Sequence, residues 1–127
     1  MRRLLLPLAL LIASPAAAQD WRMAPEYDVL LTAYDIQPGE IRLKAGQPVR
    51  LRFVNTTNQG LTFSAGGFFR DSQLRRRDSA LVKGGSIEVP ALSTRTIVLV
   101  PKAGRYKATG ANLLHRLLGM SGRIIVE

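Results

Sequence analysis

His115 is the only histidine in the 127 residues, and Met120 follows it closely, directly behind Gly119. An imidazole and a thioether at short range are donors that suit copper, and they would make only half of a copper site. The chain contains no cysteine. Thiolate metal ligands, C-x-x-C redox chemistry and cysteine nucleophiles are therefore excluded. Each remaining donor also has a plainer use. His115 can be a loop histidine whose ring nitrogens bond to backbone, and Met120 can fill a gap in the core.

Other chemistries lack their parts. No G-x-S-x-G elbow accompanies the single histidine, which argues against a Ser-His-Asp hydrolase. Carboxylates are not clustered in the sequence, so neither glycosidase-type acid/base chemistry nor an oxygen-ligand cation cage has a candidate. "SAGGFF" carries two glycines but not the GK[ST] ending of a phosphate loop. The chain is read as not an enzyme, with no cofactor expected and copper at His115 and Met120 as the alternative.

Two other groups of residues point to contact rather than catalysis. Arg75, Arg76 and Arg77, with Arg70 and Lys83 nearby, form the densest run of positive charge. No aromatic residue interleaves that run, as base stacking on nucleic acid would require, so an acidic protein or anionic surface is the better match. In "ANLLHRLLGM", Leu113, Leu114, Leu117 and Leu118 form i,i+4 pairs on a short helical turn. Such leucines either bury against the end of the fold or remain as a modest apolar contact patch.

The elements that would position these residues can be read from pattern. "MRRLLLPLALLIASPAAAQD" sets Arg2 and Arg3 before a short apolar run and small residues, the layout of a secretory signal peptide spanning 1–18 and cut after Ala18. The mature domain, 19–127, is expected in the periplasm or outside the cell, with no transmembrane segment after cleavage. Removing the two signal arginines takes the formal charge from +9 to +7, which favours encounter with an acidic envelope protein or surface.

Beyond Ala18, "EYDVLLTAYDI" reads as one strand ending at Pro38-Gly39, and "EIRLK" as a second. In "PVRLRFVN", Val49, Leu51 and Phe53 alternate with Arg50 and Arg52, the pattern of a half-buried strand. "LTFS", "SIEV", "TRTIVLV", "RYKAT" and "GRIIVE" continue the series. Short strands with turn signals between them predict an all-β, antiparallel Greek-key sandwich with Leu51, Phe53, Val98, Val100, Tyr106, Ile124 and Val126 in its core. The stretch from Arg70 to Gly85 breaks the pattern and reads as a long excursion with room for a helical turn.

"YDIQPGEIRLKAGQPVRLRFVN", "LTFSAGGFF" and "PKAGRYKATGANLLHRLLGMSGRIIVE" together resemble the small secreted cupredoxins, in the same order and at similar spacing. The resemblance implies a cupredoxin-type sandwich. It further implies a type 1 copper held by a histidine near Leu61, a cysteine within Gly110 to Asn112, His115 and Met120. Two of these donors are absent from the chain. The resemblance thus implies a kept scaffold with a degenerate copper site, acting as a binding or accessory module. The alternative is a weak copper-binding, electron-transfer or trafficking protein that uses His115 and Met120, with further ligands from a second chain or from the amino terminus exposed after cleavage.

Overall fold

The computed structural model describes residues 20–111 and 120–127, with the backbone alone at Met120. A 3₁₀ turn at Trp21–Met23 leads into β1 (Glu26–Leu31), β2 (Ile36–Gln37), β3 (Glu40–Leu43), β4 (Val49–Asn55) and β5 (Leu61–Ser64). Then come α1 (Gly66–Asp71), β6 (Gln73–Leu74), a 3₁₀ segment at Arg76–Leu81, β7 (Val82–Lys83), β8 (Ser86–Val89), β9 (Thr94–Val100), β10 (Gly104–Ala111) and β11 (Met120–Val126). These form two sheets, ordered β2-β1-β4-β9-β6 and β3-β11-β10-β5-β8-β7.

Side-chain alternation decides which face each strand buries. On β4, Val49, Leu51 and Phe53 point into the space between the sheets while Arg50 and Arg52 face outward, as expected from the sequence. Phe53 contacts Phe63 with ring centroids 4.7 Å apart, and Phe63 meets Phe69 at 6.1 Å in an edge-on contact. Phe68 joins Phe69 to Tyr106. The aromatic series therefore runs from one sheet to the inner face of the other and on to α1, and edge-to-face packing adds to simple burial.

The sandwich departs from the expected one at four places. "EYDVLLTAYDI" is two strands, because the Thr32 hydroxyl accepts the Tyr34 and Asp35 N–H groups and closes a tight turn; threonine and aspartate offer the backbone such local partners. Pairing is not antiparallel throughout: β1 runs parallel to β4, and β3 parallel to β11. The helical turn expected in the excursion is present as α1, but it starts earlier, at Gly66, and buries Phe68 and Phe69. Among the expected core residues, Val100 and Tyr106 remain partly exposed, and Val98 is buried on the outer face of its sheet beneath the segment around Asp78.

Candidate functional site

Both ends of the sandwich follow from strand direction. β4 begins beside Pro25, whose carbonyl accepts the Arg50 N–H, and it ends at Asn55. β11 begins opposite Gly110 and ends beside Leu43 and Ala45. One end thus carries Asn55, Leu61, Ala111 and the Met120 backbone; the other carries the Trp21–Met23 turn. A seven-residue strand such as β4 separates them by about 20 Å.

The positions that the cupredoxin resemblance assigns to copper lie at the first of these ends. Leu61 opens β5 opposite Val89 and is only 3% exposed, an apolar side chain sealed into the core. Gly110 lies in the ladder between Phe63 on one side and Met120 on the other. Neither residue brings a donor atom, so the residues at these two positions do not fit a type 1 copper ion. Among the described residues no three His, Cys, Asp or Glu side chains come together as a metal cluster. His115, Leu113, Leu114, Leu117 and Leu118 lie outside the described residues, as does the Met120 side chain.

The polar group that organises this end is Asn55. Its side-chain Nδ2 donates to the carbonyls of Gln59, Val89 and Pro90, at 2.7, 3.0 and 3.1 Å. Its Oδ1 accepts from the Thr57 N–H and hydroxyl. A buried amide that satisfies donor and acceptor together ties the turn after β4 to the β8–β9 connection. That connection holds Leu92 at φ +51, a left-handed conformation costing an apolar residue about 1–2 kcal/mol, and Leu92 donates its N–H to the Thr57 carbonyl. Leu92 and Tyr34 project from this end at 73% and 84% exposure.

The basic residues divide into separate groups. Arg70 sits in α1 and pairs with Asp71 at 3.2 Å. Lys83 lies on β7, at an edge of the second sheet. Arg75 faces inward: its Nε and Nη2 donate to Asp78 Oδ2 and Oδ1 at 2.8 and 3.2 Å, and the side chains are only 16% and 7% exposed. Asp78 Oδ2 also accepts the Val98 N–H at 2.9 Å, and the Arg75 N–H donates to the Val98 carbonyl. Arg75 is therefore committed to clamping the 3₁₀ segment onto β9, while Arg76 and Arg77 stay exposed.

The clamp builds one wall of a depression that sequence patterning did not reveal. Its lining is Glu26, Arg50, Arg52, Arg75, Arg77, Asp78 and Thr96, on the outer face of β1, β4 and β9. The pairings Glu26↔Arg50↔Val98 and Asp28↔Arg52↔Thr96 bring these side chains onto one face. The outward alternation of Arg50 and Arg52 was visible in the sequence; their meeting with Arg77 depends on a fold-back of the later segment.

No family model matches the chain, and no curated protein sequence matches it. Solved structures do. Auracyanin B superimposes with a TM-score of 0.58 over 82% of this chain and 89% of its own, at 18% identity. A multicopper oxidase from Pseudomonas thermotolerans superimposes with a TM-score of 0.56 at 18% identity, over 80% of this chain but only 29% of the oxidase. Together with the two-sheet topology and the strand order, these likenesses show that the described residues carry a cupredoxin-like fold.

Proposed function

We propose that the chain is an exported, non-catalytic binding or accessory module that keeps the cupredoxin scaffold without its type 1 copper chemistry. The observation that carries this reading is local: a sealed leucine stands at the first ligand position, and Gly110 and Ala111, without donor atoms, begin the stretch assigned to the cysteine, in a chain with no cysteine. Export is supported by the signal-like residues 1–18. No helix among the described residues is long and apolar enough to cross a membrane.

The contact surface in this reading has an apolar part and a basic part. Tyr34 and Leu92 project at the end that carries Ala111 and the Met120 backbone; Leu113, Leu114, Leu117 and Leu118, which lie outside the described residues, are the sequence's other apolar contact candidates. Arg76, Arg77 and the other surface cations supply a positive field that speeds encounter with an acidic envelope protein, acting over a Debye length of about 8 Å at physiological salt. Arg70 and Lys83 contribute only to that general field.

Copper at His115 and Met120 is the competing reading. In that reading further ligands come from a second chain or from the amino terminus; the Trp21–Met23 turn lies at the opposite end of the sandwich from the Met120 backbone, which favours the second chain. A pull-down from an envelope extract tests the preferred reading. Wild type should recover a partner at low salt that is lost at high salt or on changing Arg76 and Arg77 together to Ser. Equal recovery of the same proteins by both forms at both salts would remove the basic surface from the account.

A further inference from the structure

The depression on the outer face of β4 and β9 has an uneven charge balance. Four guanidiniums line it with the carboxylates of Glu26 and Asp78, and Asp28 beside Arg52 adds a third carboxylate, which leaves a net charge of +1. Asp78 is taken up by Arg75. Arg52 is taken up by Asp28 at 3.3 Å, with Glu26 at 3.8 Å. Arg50 and Arg77 have no carboxylate partner among the described residues; Arg50 gives one hydrogen bond, from Nη2 to the Trp21 carbonyl at 3.1 Å. Thr96 adds a hydroxyl to the same lining.

Two guanidiniums without counter-charge, converging from different elements beside a hydroxyl, suit a tetrahedral oxyanion better than a planar carboxylate. Arginine forks reach several oxygens of a phosphate at once. A phosphate monoester carries about −1.5 to −2 charge at neutral pH and offers separate oxygens to Arg50 and Arg77, the two guanidiniums without a carboxylate of their own. The geometry points to this depression as a binding site for a phosphate monoester group, gripped by Arg50 and Arg77 against a wall fixed by the Arg75–Asp78 clamp. The assignment deepens the binding-module reading by naming the chemistry of one partner. It can fail separately, because it is read with a small ligand and not with an extract.

The experiment titrates inorganic phosphate into the full chain and follows the arginine Nε–H signals by NMR at constant ionic strength. A saturable shift of the Arg77 and Arg50 signals is expected, with a dissociation constant on the order of 1 mM, equivalent to about −4 kcal/mol. Arg77→Ser should weaken binding at least about tenfold, by the loss of one charge-assisted fork. Arg76→Ser removes the same charge from a neighbouring exposed position outside the depression and should leave binding within about twofold, because screened surface charge acts weakly. Vesicles carrying phosphatidic acid, compared with vesicles carrying phosphatidylglycerol, then identify the source. Arg77-dependent binding to the former alone assigns the phosphate to a lipid headgroup; phosphate binding without vesicle binding assigns it to a soluble ester. Equal weakening by both substitutions, or shifts with polyglutamate but none with phosphate, would overturn the proposal.

Discussion

Asp78 shows how one residue can decide the use of its neighbours. Its carboxylate takes two bonds from Arg75 and one from the Val98 N–H, and the pair is nearly sealed from water. Removing one partner of a buried pair leaves the other charged and unmatched, so Asp78→Ala should cost about 3 kcal/mol in denaturant unfolding. Arg77→Ser should cost under about 0.5 kcal/mol. A similar loss for both would mean that the clamp bears no weight. Tyr106 offers a second test at the same scale. Its hydroxyl donates to the Lys102 carbonyl at 2.9 Å, and partial burial, followed by the nearby Asp71 carboxylate, raises its pKa above the usual phenol value. A raised pKa in the folded state means that the contribution is complete below about pH 10 and is lost as pH climbs through the raised value. Tyr106→Phe should therefore cost about 1 kcal/mol near neutral pH, and the gap to wild type should narrow in alkaline solution, as urea unfolding at both pH values would show.

At the scale of elements, the β7–β8 hairpin shows what the sequence reveals and what it hides. Val82 pairs with Ile87 and Lys83 with Ser86, leaving Gly84 and Gly85 as a two-residue turn at φ +59 and +77. This is the left-handed geometry that glycine pairs favour in hairpins. A Cβ on Gly84 would meet nothing, whereas one on Gly85 would come within 2.6 Å of the Gly66 Cα at the start of α1. Gly84→Ala should cost about 1 kcal/mol for its backbone conformation alone. Gly85→Ala should cost about 3 kcal/mol or more, since hairpin and helix must separate. Equal melting temperatures for the two variants would contradict this packing. Turn glycines announce the hairpin in the sequence, but its seat against α1 is a long-range contact with no local signal. α1 is itself too short to display a helical period, which hid Phe68 and Phe69 among the core residues.

For the whole molecule, the strands with clean alternation were the legible ones. "PVRLRFVN" lies where its pattern puts it; "TRTIVLV" is a strand as expected, but Ile97 and Leu99 rather than Val98 and Val100 face the core, because its unbroken apolar run does not say which face is buried. The parallel pairing of β1 with β4 was not legible, because period-two alternation identifies a strand face without identifying the neighbour's direction. The candidate site divides the same way. Missing copper donors could be read once the cupredoxin resemblance fixed where to look, and the fold places Leu61 and Gly110 at the expected end. The arginine depression could not be read, because it assembles residues from β1, β4, β9 and the Arg75–Asp78 clamp. The central claim is that this scaffold works by contact and without resident copper. Its most direct test is the copper content of the protein purified from its native host, with His115→Ala prepared in parallel. The account predicts copper far below one ion per chain in both proteins; one copper per chain in wild type, lost in His115→Ala, would contradict it.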